Sequence, residues 1–197
     1  EGHELYTAGH MIEAAVAYYQ ATGKEKFLNI ARKNADLICR VFGTGEGQKR
    51  GYPGHQEIEL ALVKLYRVTG ERAYLHQAEY FIRERGRNPN YLQAEIEGRG
   101  HPEFFPEFER YDLEYSQAHK PPVEQDEAVG HAVRAMYLYS GMADLAKTLD
   151  DETLFKTLKV LWADVTTKKM YITGAIGSDE HGEGFSIAYD LPNDRAY

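Results

Sequence analysis

Glu183 stands between two glycines in Gly182-Glu183-Gly184-Phe185, inside a stretch from Tyr171 to Asp194 rich in glycine and acids. Glycine lets a backbone take positive φ and come close to a ligand. A carboxyl on such a loop, held by a rigid scaffold, is placed for general acid–base work. An acid in a Gly-rich turn is also, in most proteins, a solvated surface residue, and the stretch alone favours that reading. A second pattern bears on the choice. Gly2-His3, Gly54-His55 and Gly130-His131 each fall at or near the start of a helical segment. Three histidines in equivalent places predict a common polar site, and neutral imidazoles both donate to and accept from sugar hydroxyls. Zinc held by three histidines and a water is the competing chemistry, without the tight local spacing that would favour it. His10, seven residues after His3, lies on nearly the same helical face; His76, His101 and His119 receive no role.

The elements that must hold these residues read as helical hairpins. From about Leu5 to Ala21, apolar and small side chains recur at helical spacing (Ala8, Met11, Ile12, Ala15, Val16, Tyr19), and Thr22-Gly23 closes the helix. A partner follows to about Phe42. Ile58 to Tyr66 repeats the pattern and closes at Thr69-Gly70, 47 residues after Gly23, with Tyr19 and Tyr66 each four residues before its glycine. A looser third copy joins a helix from Ala128 to Lys147 to another from Leu154 to Val165 through Asp150-Asp151. The expected organisation is hairpins over about 3–42, 54–87 and 123–167, and a Gly-rich loop over 170–197. Residues 88–122 form a long loop that carries Phe104, Phe105, Phe108, Tyr111 and Tyr115. That loop reads as a rim or lid over a site, or equally as a surface decoration. The period exceeds the 34 residues of tetratricopeptide repeats and suits an α/α toroid, whose inner helices line a cavity. In a toroid the three histidines converge at the cavity mouth.

Composition narrows the functions. A net charge of −8 and a pI near 5.5 speak against nucleic acid, which calls for a clustered basic face. No apolar run approaches the roughly 18 residues of a membrane span. A lone cysteine, Cys39, allows no internal disulfide, and its place among Leu37, Ile38 and Phe42 reads as packing. The chain opens without methionine and closes after a Pro-Asn-Asp turn, so it reads as part of a larger domain, with a cytoplasmic location as the default.

Four segments taken together resemble glycoside hydrolase family 127, the family of the β-L-arabinofuranosidases. They are His3-Glu4-Leu5-Tyr6 with Gly9-His10; Gly51-Tyr52-Pro53-Gly54-His55-Gln56-Glu57; Pro122-Val123-Glu124-Gln125 with Gly130 to Ala135; and Met170 to Gly174 through Tyr189 to Asn193. The resemblance spans the chain in order. It implies an all-α fold, part of an (α/α)6 toroid, and retaining cleavage of a terminal β-L-arabinofuranoside in an oligosaccharide or glycoconjugate. It assigns Glu183 as acid/base and His3, His55 and His131 as sugar contacts. It also implies zinc and a cysteine nucleophile, whose Cys and Glu ligands match no residue here, so the chain alone is expected to be inactive. Nucleic acid and membrane partners are not expected, and a homodimer is admissible. The readings left beside it are another toroid enzyme (an epimerase or unsaturated-uronide hydrolase) and a non-catalytic carbohydrate-binding module.

Overall fold

The structure is a computed structural model that describes residues 2–99, 112–180 and 182–194. It is all-α. Helix α1 (Glu4–Thr22) and α2 (Glu25–Val41) form the first hairpin, α3 (Ile58–Thr69) and α4 (Arg72–Glu84) the second. After a short α5 (Tyr91–Arg99), the third comprises α6 (Ala132–Leu149) and α7 (Glu152–Asp164). The three hairpin turns use one device. Gly23 and Gly70 sit in the left-handed region at φ 69° and 72°, and each donates its N–H to Tyr19 or Tyr66. Asp150 takes the same place in the third turn, with φ 54° and its N–H on Ala146. Asp151 then caps α7, accepting from the N–H groups of Thr153 and Leu154, and an ion pair to Arg83 at 2.6 Å ties that cap to α4.

The helices form two rows. α3 lies between α1 and α6, and α2, α4 and α7 back them on the outside. Gly141 of α6 makes the α3 contact close: a Cβ there would lie 3.2 Å from Cβ of Glu59. Between the rows, Ile12, Val16, Leu28, Ile38, Leu62, Leu65, Leu75, Phe81, Leu138, Met142 and Leu161 form one core, all buried. Each such side chain stabilises the fold by about 1.5–3 kcal/mol relative to exposure. Two rows of paired helices are consistent with the expected all-α toroid. Among the described residues no helix is long and apolar enough to cross a membrane.

The structure departs from the sequence reading in two places. α6 starts at Ala132 rather than Ala128, because Gly130 turns the chain at φ 69° and His131 is the N-cap. The segment read as a 35-residue loop contains α5, whose first N–H groups, on Leu92 and Gln93, are accepted by Asn90 Oδ1. The aromatics Phe104, Phe105, Phe108 and Tyr111, on which the rim or lid reading rested, lie outside the described residues.

Candidate active site

Glu183 is held in place by its neighbours' backbone. Gly184 exchanges two hydrogen bonds with Asp179 (3.0 and 3.1 Å), Ala132 N–H donates to Glu183 O at 3.0 Å, and Phe185 N–H donates to Gly130 O at 2.9 Å. Phe185 then buries its ring among Ala128, Ala132, Ala135 and Val165. Glu183 itself takes φ 50°, a conformation uncommon for a residue with a Cβ. The Gly-rich loop is thus stitched to the first turn of α6, and its carboxyl meets His131: Nε2 lies 3.0 Å from Glu183 Oε2.

The protons of that pair can be placed. His131 Nδ1 accepts the Arg134 N–H at 3.1 Å, so in the neutral ring the hydrogen sits on Nε2 and is donated to Glu183. One carboxylate oxygen, Oε2, is occupied, and Oε1 is left for chemistry. His55 carries the other tautomer, because its Nδ1 faces the Gln56 carbonyl at 2.7 Å and must donate, which makes Nε2 an acceptor. The ring centroids of His3 and His55 are 5.4 Å apart, and those of His55 and His131 5.7 Å. The structure therefore brings His3, His55, His131 and Glu183 to one end of the helix rows.

Their charge state follows from burial and one cation. Burial lowers the pKa of His3, His55 and His131, and for each the Arg134 guanidinium is the next cause. His55, the pair's buried neighbour, is taken down to about 3. Three neutral imidazoles around a carboxyl can sort hydroxyls by donor and acceptor; a cationic cluster could not. Arg134 lies over Tyr115 of the 88–122 segment at 4.9 Å from the ring centroid, and that ring stands 5.4 Å from His131.

Some expectations are reshaped. The Glu183 side chain is 45 % exposed. Asp179 accepts the Gly182 N–H at 3.2 Å. Zinc on the three histidines does not fit, since both nitrogens of His131 are already engaged. Zinc bound through cysteine does not fit these residues either. Cys39 faces the Ala73 carbonyl at 3.8 Å on α2, and burial pushes its thiol up to about 11.

Other residues of the mouth carried no signal strong enough to single them out. Tyr6 lies between His10 and His55, at centroid distances of 4.5 and 4.2 Å, with Tyr137 edge-on at 5.9 Å. Gln56 and Gln117 fix the His55 segment, Gln56 Nε2 donating to Gln117 Oε1 at 2.8 Å and Gln117 Nε2 to the Val129 and His131 carbonyls. The spacing of His3, Tyr6 and His10 along α1 is the trace of this in the sequence.

Comparison with known proteins gives the geometry a context. Residues 1–197 match the family described as "Beta-L-arabinofuranosidase, GH127 catalytic domain". The chain is 45 % identical over 197 residues to a non-reducing end β-L-arabinofuranosidase of Bifidobacterium longum subsp. longum, and spans 30 % of that protein. It is similar to the crystal structure of a GH127 β-L-arabinofuranosidase from Geobacillus stearothermophilus T6, with TM-score 0.94 and 56 % identity, over 100 % of this chain and 31 % of that one. A further GH127 β-arabinofuranosidase structure matches with TM-score 0.85 and 51 % identity, over 99 % and 27 %.

Proposed function

Because the chain belongs to the GH127 β-L-arabinofuranosidase catalytic-domain family, we propose that it builds the acid/base side of a retaining exo-β-L-arabinofuranosidase site. The observation that carries this reading is the contact of His131 Nε2 with Glu183 Oε2, at the mouth shared with His55 and His3. In a retaining hydrolase one carboxyl first protonates the leaving oxygen and then takes a proton from the attacking water. Glu183 suits both steps. His131 fixes Oε2 and the orientation of the group, and Oε1 faces the glycosidic oxygen as the atom that gives and recovers the proton. Nε2 of His55 accepts a hydroxyl proton of a terminal L-arabinofuranose, and His3, exposed at the rim, closes over another. Substrate seated on these rings covers the open half of the Glu183 carboxyl and excludes water from it.

The nucleophile of this scheme, and the zinc expected with it, are assigned to no residue of this chain. The test is hydrolysis of a β-L-arabinofuranoside with a poor leaving group by the full-length enzyme carrying Glu183→Gln. Loss of a general acid lowers turnover by about 10²–10⁴-fold, and the fold, read by circular dichroism, stays intact. Near-wild-type turnover overturns the assignment.

A further inference from the structure

Below the histidines a second carboxyl is buried. The Glu57 side chain is 0 % exposed, and neither of its oxygens has a hydrogen-bond donor among the described residues. It fills the space left by Gly9, where a Cβ would lie 1.4 Å from Glu57 Oε2. A buried carboxylate without donors is untenable at the tens of kcal/mol that bare charge burial costs, so something neutralises it. From α1, His10 Nδ1 lies 3.8 Å from Glu57 Oε1 and 4.0 Å from Glu13 Oε2. Glu13 is close enough for its oxygen, that of Glu57 and the His10 nitrogen to lie within 4.8 Å of one another. From α3, Lys64 Nζ contacts Glu13 Oε1, and Glu59 adds a further negative charge; from α6, Tyr137 faces the group. Two carboxyls beside one ammonium leave one negative charge in excess of the lysine, and a single proton cancels it.

We infer that Glu57 is a neutral carboxylic acid sharing one proton with the Glu13 carboxylate, and that this pair is a positioning device for the histidine mouth. Its place in the chain gives it that role. Glu57 lies two residues after His55 on the same non-helical approach to α3, and Glu13 lies one turn below His10 on the α1 face whose Tyr6 ring rests on His55 at 4.2 Å. The shared proton joins the wall that carries Tyr6 to the segment that carries His55. Electrostatics support the direction of sharing. Burial, and then Glu13, raise the Glu57 pKa far above the carboxylate range. For Glu13 burial acts upward too, but the neighbouring Glu57 carboxyl and the Lys64 ammonium outweigh it and leave the pKa low. A divalent cation on His10, Glu13 and Glu57 is the rival neutraliser. Lys64 already occupies one Glu13 oxygen, and its charge opposes a metal there.

The inference uses the proposed function only in treating the mouth as a sugar site, and its test needs no glycosidase assay. Infrared spectra of the full chain at pH 7–8 are expected to show one protonated carboxylic C=O band, shifted in D2O and lost in Glu57→Gln. Because the pKa of Glu57 is raised, the stability it carries is complete below its ordinary value of 4.5 and is lost as pH rises toward about 10. Across that window the wild-type unfolding constant should rise about tenfold more per pH unit than that of Glu57→Gln, one proton's worth. The His55 Nδ1–H resonance should stay in place in Glu57→Gln and move in Glu57→Ala. Absence of the acid band, equal pH slopes, or one zinc or manganese ion bound per chain and released by Glu57→Gln overturns the shared proton. A His55 resonance unmoved in Glu57→Ala overturns the positioning role. Should Glu183→Gln retain activity, the proposed function fails and these results stand.

Discussion

Gly184 meets Gly130 so closely that a methyl group on it would lie 2.5 Å from the Gly130 carbonyl oxygen, the oxygen that accepts the Phe185 N–H. Backbone against backbone, this contact sets Glu183 opposite His131. Gly130 is confined from its other side, where a Cβ would fall 1.9 Å from the Glu114 carbonyl. Gly130→Ala should therefore cost about 3–5 kcal/mol, from strain and overlap together. Gly23 has the same φ of 69° with nothing within 4 Å, and Gly23→Ala should cost only the left-handed penalty of about 1–2 kcal/mol. Urea unfolding of the two variants separates these cases. Equal losses would mean the close approach holds nothing.

His55 and His131 are expected to be felt by the sugar without being needed for the fold. In the full-length enzyme, His55→Ala should weaken binding of L-arabinose by about 3–10-fold, the worth of one ordinary hydrogen bond. His131→Ala should do the same and also lower turnover, because it releases Glu183. Calorimetric titration gives the first effect and kinetics the second. If both variants bind like wild type, the histidines are not sugar contacts.

Acid should attack the mouth from within. His55 is lowered to about 3 from an ordinary 6.5, so the folded chain excludes a proton that the unfolded chain binds. Its stability is complete above pH 6.5 and is lost as pH falls toward 3. His55→Asn, which cannot be charged, should flatten that slope by up to one proton, about tenfold in the unfolding constant per pH unit. An unchanged slope would show that His55 is charged in the fold. Glu57, two residues away, acts in the opposite direction.

Arg85 underlies the same segment. It is wholly buried and donates to the carbonyls of Pro53 (2.7 Å) and Ser116 (2.9 Å), with Glu59 at 3.4 Å. Arg85→Met leaves Glu59 buried without this partner and should cost about 3–5 kcal/mol. Thermal unfolding checks it, and a loss below 1 kcal/mol would place the cation outside the scaffold of the site.

The hairpins could be read in the sequence because their signals are local. Turn glycines, tyrosines four residues before them and a 3.6-residue apolar period each act within a few residues. The Gly-His pairs and Glu183 were legible for the same reason, as short motifs at helix starts and in a turn. α5 escaped because the nine residues Tyr91–Arg99 carry too little period, and its cap is one asparagine. The start of α6 moved because the turn at Gly130 is imposed by Glu114 and Gly184, which are distant in sequence. The burial that, with Arg134, keeps three imidazoles neutral, and Glu57 finding Glu13, depend on α1, α3 and α6 lying side by side. No pattern in any one of them could announce that.

Glu183 carries a further consequence through its backbone. At φ 50° it occupies a conformation that costs a side-chain-bearing residue about 1–2 kcal/mol and that asparagine or glycine accepts readily. In the full-length enzyme, replacing it by Asn should leave a protein at least as heat-resistant as the original and, under the proposed acid/base role, without hydrolytic activity. Selection for thermal robustness alone would therefore tend to erase this glutamate, and under the acid/base role proposed for it the backbone strain is stability given up for chemistry.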